Sequence, residues 1–85
     1  MSAATHSLKC WPGPFQAVVD RIKRHEVRVA DRTYQTNDVV WLNEWDPNDE
    51  AFTGRMLWFR IGYVSRGPDW GIPVNMVVFT LMDIE

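Results

Sequence analysis

The chain has 85 residues, of which 46% are hydrophobic and 24% charged, with a formal net charge of −2. This length suits a single domain, and the apolar content excludes an intrinsically disordered chain. No stretch approaches the roughly 18 apolar residues of a membrane span, and the slightly acidic balance excludes a global basic field. A nucleic-acid or nucleotide ligand would therefore need a local basic cluster.

Cysteine usage and the N-terminal sequence indicate a cytoplasmic protein. Cys10 is the only cysteine and cannot form an internal disulfide, whereas small secreted domains usually carry several. Residues 1–7 lack the basic start and apolar run of a signal peptide. We therefore expect no membrane attachment, a flexible end over residues 1–5, and one domain over residues 6–85.

The first elements predicted are a strand and a short helix. Residues 6–11 alternate as a strand does, and the run Pro12-Gly13-Pro14 ends it. Apolar residues then recur at helical spacing: Phe15, Val18, Val19 and Ile22. Lys23 and Arg24 are placed in the last helical turn, where cations complement the helix dipole.

A second strand is predicted over residues 25–29, which alternate in polarity. Val27 and Val29 share one face, and Glu26 and Arg28 share the other.

Three longer strands follow, separated by segments rich in turn residues. Apolar, β-prone runs predict strands over residues 39–45, 55–65 and 76–82. Residues 46–50 form a predicted loop, with Thr53-Gly54 closing the hairpin, and a Gly- and Pro-punctuated loop spans residues 66–73.

The order of these elements predicts an α+β, mainly β fold. One short helix cannot cover both faces of a flat five-stranded sheet. Closing the sheet into a small barrel of about five to six strands, with the helix after the first strand plugging one end, buries the apolar faces and removes the edges.

Charged residues cluster around the second strand. Lys23, Glu26, Arg28 and Arg32 fall within ten residues, and Lys9 joins them if the first and second strands pair. Cations attract phosphate or a polarised carbonyl, while a carboxylate accepts from a base N–H or acts as a general base. The alternative interpretation is a solvated ion-pair face without a ligand.

Aromatic side chains provide a second group of candidate ligand contacts. Trp45 and Trp70 lie at a strand end and in a loop, where they could stack on bases or cover an edge of the core. His6, His25 and Cys10 do not have a metal-ligand spacing, so we expect no metal and no cofactor.

Several short motifs occur along the chain in an order that resembles a known family. They are Leu8-Lys9, Pro14-Phe15, Lys23-Arg24-His25-Glu26-Val27-Arg28, Asp31-Arg32-Thr33-Tyr34, Asn37-Asp38-Val39-Val40, Glu44-Trp45-Asp46-Pro47 and Thr53-Gly54-Arg55. The series resembles the ASCH superfamily, which has a PUA-like β-barrel, and within it a small family of unknown function common in bacteriophage and prophage genomes. Members of that family usually carry Gly where this chain has Arg21 and Asn37, and Thr where it has Arg24.

The resemblance implies a cleft between helix and barrel, lined by the Lys-x-x-Glu-x-Arg segment. Members of the superfamily are thought to bind RNA or modified nucleosides. Some hydrolyse N4-acetylcytidine with a Lys, a Thr and a distant Glu, and others are reported as ribonucleases. The resemblance implies that the catalytic Lys corresponds to Lys23 and that Glu26 occupies the position of the catalytic Thr. The segment that carries the distant Glu is not expected in this short chain.

Three hypotheses about function remain open on the sequence. In the first, the chain binds RNA, single-stranded nucleic acid or a modified nucleoside in the bacterial cytoplasm. The cations Lys9, Lys23, Arg28 and Arg32 would meet phosphate, Glu26 would read a base edge, and Trp45 or Trp70 would stack.

The second hypothesis is a small hydrolase acting on a modified nucleoside or RNA, with Lys23 as electrophile or proton donor and Glu26 as general base. The third is a phage-encoded inhibitor that binds a host defence protein through exposed tryptophans.

Overall fold

The structure is a computed structural model that describes residues 3–84. Its strands are β1 (Thr5–Cys10), β2 (His25–Val29), β3 (Val39–Asp46), β4 (Ala51–Arg66) and β5 (Met76–Asp83). One α-helix, α1 (Pro12–Val19), follows β1, and a single 3-10 turn spans Asp69–Gly71. The predicted succession of strand, helix and four further strands is confirmed.

The five strands form one sheet in the order β1-β3-β4-β5-β2. β1 runs parallel to β3, and the other neighbouring pairs are antiparallel. The sheet curls into a half-barrel, which confirms the mainly β fold with one short helix. Within the described sheet β1 and β2 remain as edges that do not pair with each other, so the predicted barrel closure is incomplete.

The core fills the concave side of this curled sheet. Alternate residues of the strands point inward, and α1 lies against β3 and adds two side chains. The buried apolar residues are Leu8, Cys10, Phe15, Val18, Tyr34, Val40, Leu42, Ile61, Val77, Phe79 and Leu81.

The helix ends earlier than its apolar spacing predicts. Ile22 is 81% exposed, and the backbone of Arg21 is left-handed with φ 61°. The N–H of Ile22 donates to the carbonyl of Ala17 at 2.9 Å, and the N–H of Arg21 donates to Val18 at 3.0 Å. This Schellman motif stops the helix at a position where Gly is preferred. The prediction that Lys23 belongs to the last helical turn is therefore wrong.

The Schellman motif has a structural consequence and a cost. A left-handed backbone at a residue other than Gly costs roughly 1–2 kcal/mol. The turn releases Lys23 and Arg24 from the helix into the connection to β2. Asn37 is a second residue with a left-handed backbone, with φ 76°. Both positions at which the family that this sequence resembles usually carries Gly therefore have a positive φ in this chain.

The β3–β4 hairpin turns within the predicted loop, but β4 begins at Ala51, four residues before the strand predicted from residue 55. Residues 47–50 form the turn, and a carboxylate oxygen of Asp46 accepts from the N–H of Asn48 at 2.8 Å. Thr53 and Gly54 do not close the hairpin, because β4 already begins at Ala51. They lie in a bulge of β4 opposite the register shift between Asn43 and Trp45 in β3, where Gly54 has φ 94°.

The folded domain begins before His6, the boundary predicted from sequence. β1 starts at Thr5, and the carbonyl of Ala4 accepts from the N–H of Val39 at 2.8 Å. Ala4 and Thr5 therefore do not belong to a flexible end. Ala3 precedes the first strand, and Met1 and Ser2, which the prediction also covered, lie outside the described residues, as does Glu85. None of the helices described is long and apolar enough to cross a membrane.

Candidate nucleotide-binding cleft

The charged face of β2 points into the half-barrel. Glu26 is only 4% exposed, whereas Val27 and Val29 on the other face are half exposed. The predicted alternation is correct, and the charged side is the inner one because β2 pairs with β5 in the register that turns Glu26 toward the core. The alternative interpretation from the sequence, a solvated ion-pair face, does not fit this buried carboxylate.

Both carboxylate oxygens of Glu26 accept hydrogen bonds from cations. Lys23 Nζ donates to Oε1 at 2.8 Å, and Arg28 Nε donates to Oε2 at 3.0 Å. Lys23 Nζ also donates to the carbonyl of His25 at 2.6 Å. Charge-assisted bonds of this kind are roughly twice as strong as neutral ones. The buried carboxylate therefore fixes two cations whose side chains are each about one-quarter exposed.

Arg28 also connects the two edges of the sheet. Its Nη2 donates to the carbonyl of Lys9 at 2.9 Å, from β2 across to β1. This side-chain bond spans the side of the half-barrel where the two strands do not pair. It fixes the guanidinium between β1 and β2.

The cations border a cleft between the start of α1 and β2. Its volume is about 270 Å³. The residues that line it are Lys9, Cys10, Trp11, Pro14, Lys23, Glu26, Val27 and Arg28. Trp11, immediately before α1, is 57% exposed and brings an indole to the cleft. The sequence-based site omitted Trp11, although its position beside the Pro12-Gly13-Pro14 turn at the end of β1 could have signalled it.

Lys9 and Trp45 lie together on the outer side of the sheet. The ammonium of Lys9 is 4.2 Å from the centre of the Trp45 ring and 5.9 Å from that of Phe52, in a cation–π arrangement. Lys9 thus contributes its carbonyl to Arg28 rather than its charge to the cation cluster. The Trp45 ring, predicted to stack on a ligand, is occupied by this lysine and does not line the cleft.

The two remaining predicted site residues lie apart from the cleft. Arg32 Nε donates to Asp31 at 3.3 Å, and Arg32 lines a neighbouring cavity. Trp70 is 87% exposed on the 3-10 turn and is not among the residues that line the cleft. The structure brings Lys23, Glu26 and Arg28 together, and leaves Arg32, Trp45 and Trp70 outside this group.

A second buried carboxylate, Glu44, was not predicted as a site residue. It is the register partner of Cys10 in the β1–β3 ladder, on the inner face. Thr53 Oγ1 donates to Glu44 Oε1 at 2.7 Å, and Arg55 Nη1 lies 3.7 Å from Oε2. Glu44 follows Val40 and Leu42 at two-residue spacing, so it shares their inward face, and this spacing could have indicated its direction.

Cys10 forms part of the wall of the cleft. Burial, reinforced by the negative charge of Glu26, raises the pKa of the Cys10 thiol. The thiol is therefore neutral at physiological pH and serves as an apolar surface rather than as a nucleophile.

The imidazole of His6 is paired with a carboxylate. Nε2 of His6 lies 2.8 Å from a carboxylate oxygen of Asp38, in a buried pair. Within residues 3–84 no three His, Cys, Asp or Glu side chains are placed to hold a metal ion.

Comparison with known proteins assigns the chain to a family. A family described as a domain of unknown function, DUF3850, matches residues 5–81, and the chain belongs to it. The chain is also similar to a protein of Escherichia phage P2 described as "Uncharacterized 12.9 kDa protein in GpA 3'region", with 37% identity over 70 residues. The match covers 82% of this chain and 62% of the phage protein, so the chain spans less than two-thirds of that relative's length. The expected association with bacteriophages is thereby supported.

Proposed function

We propose that the cleft between α1 and β2 binds a nucleoside, a nucleotide or single-stranded nucleic acid, with RNA as the preferred polymer. The observation that carries this proposal is the pair of cations, Lys23 and Arg28, held at the cleft by the buried Glu26. Two cations in fixed positions suit a phosphate, and their placement costs no further ordering when a ligand arrives.

The rest of the cleft fits a base better than a duplex. Ligand cavities usually measure roughly 300–1,000 Å³, and this one, at about 270 Å³, accommodates a small planar group. The exposed indole of Trp11 is available for stacking, which contributes about 1–3 kcal/mol per base. The net charge of −2 provides no general attraction for nucleic acid, so affinity depends on the local cations.

Glu26 has a different role from the one expected from sequence. Both of its oxygens are engaged by Lys23 and Arg28, and the side chain is 5% exposed. It is therefore a positioning residue for the cations rather than a reader of a base edge.

We also propose that the curled sheet is a PUA-like barrel of the ASCH superfamily. Support comes from the single helix after β1 and the Lys-x-x-Glu-x-Arg segment on the cleft. Arg21 and Asn37 both have a positive φ, a conformation that glycine adopts most easily. The small phage family that the sequence resembles usually carries Gly at these two positions, which supports the same backbone geometry.

The contacts favour binding over the alternative of hydrolysis of a modified nucleoside or RNA. A general base needs an oxygen that a water molecule can reach, and the Glu26 side chain is only 5% exposed. Glu26 Oε1 and Oε2 each accept from a cation already, and no hydroxyl stands at this position to act as nucleophile.

A second candidate function, docking on a host protein, is favoured by the outer face of the sheet. The rings of Trp41 and Trp58 stack there with centres 5.0 Å apart and planes at 4°. Trp58 and Met56 are about half exposed. Exposed aromatic and methionine side chains are typical of protein interfaces.

Replacing Lys23 with alanine should weaken nucleotide binding by about tenfold, because a phosphate loses one of its two cations. Binding of short labelled RNA and DNA strands is measured by fluorescence anisotropy at roughly 50 mM salt, where electrostatic contacts are strong. Arg24→Ala is the matched control, since it removes an adjacent exposed cation that does not line the cleft. Equal affinities of the two variants, or no binding of any strand by the unmodified protein, would contradict the proposal.

A further inference from the structure

A second cavity continues the cleft along the unpaired side of the half-barrel. Its volume is about 380 Å³, and it lies between Leu8 of β1 and the second half of β2. Val27 and Arg28 line both cavities. The two cavities are therefore neighbours along one seam between the sheet edges.

Arg28 stands at the boundary between the two cavities. Its Nε is fixed by Glu26 at 3.0 Å and its Nη2 by the carbonyl of Lys9 at 2.9 Å. Among residues 3–84 none accepts a hydrogen bond from its Nη1. A guanidinium held in this way can donate to a phosphate without losing the bonds that position it.

The second cavity has a cation of its own. The guanidinium of Arg32 lies 5.8 Å from the centre of the Tyr34 ring and pairs with the exposed Asp31. Ion pairs between exposed side chains such as these are weak, so Arg32 can exchange Asp31 for a phosphate at little cost. Tyr34 is buried and forms the floor, while half-exposed Val29 provides an apolar wall.

We propose that the two cavities are consecutive subsites for one linear, single-stranded oligonucleotide. The first subsite takes one nucleotide beside Trp11, the second takes its neighbour beside Val29, and Arg28 meets the phosphodiester between them. Arg32 meets the next phosphate. This inference rests on the proposed function and adds the minimum length of the ligand: at least two linked nucleotides rather than a single nucleoside.

The test compares ligands of increasing length. Binding of a 5′-mononucleotide, the corresponding dinucleotide and a tetranucleotide of the same base is measured by titration calorimetry. We expect the dinucleotide to bind about tenfold more tightly than the mononucleotide, because a second subsite and a second phosphate contact are engaged. Arg32→Ala should weaken binding of the longer strands about fivefold and leave mononucleotide binding unchanged.

The controls separate failure of this inference from failure of the proposed function. Arg24→Ala removes an equal charge outside both cavities and should change none of the affinities. If the mononucleotide binds and the dinucleotide gains nothing, the two-subsite arrangement is wrong while the cleft remains a nucleotide site. If Arg32→Ala and Arg24→Ala weaken the long strands equally, the second subsite is also wrong. If no ligand of any length binds, the proposed function itself fails.

Discussion

Asp38→Ala is expected to lower the free energy of unfolding by about 3 kcal/mol, because it leaves the buried His6 ring and two part-buried backbone N–H groups without their partner. The carboxylate of Asp38, 4% exposed, accepts from the N–H of Ala4 at 3.2 Å and from that of Gln35 at 3.0 Å. Its bond to His6 at 2.8 Å ties β1 to the start of β3. A loss of this size is a large part of the stability of a small domain.

Urea unfolding followed by tryptophan fluorescence measures this loss. Asp49→Ala is the control, because Asp49 is exposed in the hairpin turn and should change the free energy of unfolding by less than about 0.5 kcal/mol. Similar midpoints for the two variants would show that the buried Asp38 does not hold the strands together.

The same carboxylate should make the protein sensitive to acid. Burial raises the pKa of Asp38, but the hydrogen bonds from His6, Gln35 and Ala4 outweigh it and bring the pKa below its ordinary value of 3.8. A lowered folded-state pKa stabilises the protein above pH 3.8, and that contribution is lost as the pH falls through the folded-state value. Asp38→Asn should therefore flatten the fall in unfolding free energy below about pH 4. An unchanged slope would assign the acid sensitivity to other carboxylates.

Glu26→Ala is expected to weaken binding of short RNA strands by about tenfold, although it removes a negative charge from the cleft proposed to bind an anionic ligand. Without the carboxylate, Lys23 and Arg28 lose the partner that fixes them, and the protein should lose about 2 kcal/mol of stability. Anisotropy titrations and urea unfolding measure the two effects.

The matched control for Glu26→Ala is again Asp49→Ala, which makes the same change in net charge at a distant turn. A ligand attracted only by overall charge would bind both variants slightly better than the original protein. Tighter binding by Glu26→Ala would therefore overturn the positioning role of this residue.

Much of the fold was predictable because the strands carry strong alternation. The apolar and β-branched runs of β3, β4 and β5 leave little choice of secondary structure, and one short helix among five strands requires a curled sheet. The end of α1 was not predictable from apolar spacing, because Arg21 takes a left-handed conformation that Gly usually provides. The same spacing would have continued the helix to Ile22.

The candidate site was predictable where its parts are close in sequence. Lys23, Glu26 and Arg28 lie within six residues on one turn and one strand, so local alternation placed them together. The inward direction of Glu26 depends on the pairing of β2 with β5, which local sequence does not encode.

Contacts between segments that are distant in sequence were not predictable either, because they also depend on strand pairing. The contact between Lys9 and Trp45 depends on the parallel register of β1 and β3, a pairing of distant segments. That register brings the Lys9 ammonium to the Trp45 ring on the outer face. Trp45 therefore does not line the cleft, whereas Lys9 is among the residues that do.

The proposed binding cleft can be tested directly by NMR, because the five tryptophans provide indole N–H probes at different places in the molecule. Titration with a short single-stranded RNA should shift the indole N–H of Trp11 and the backbone amides of residues 23–28. The indoles of Trp41 and Trp58, on the outer face, should stay in place. Shifts confined to Trp41 and Trp58, or no shifts at any RNA concentration, would contradict a nucleotide site built on Lys23, Glu26 and Arg28.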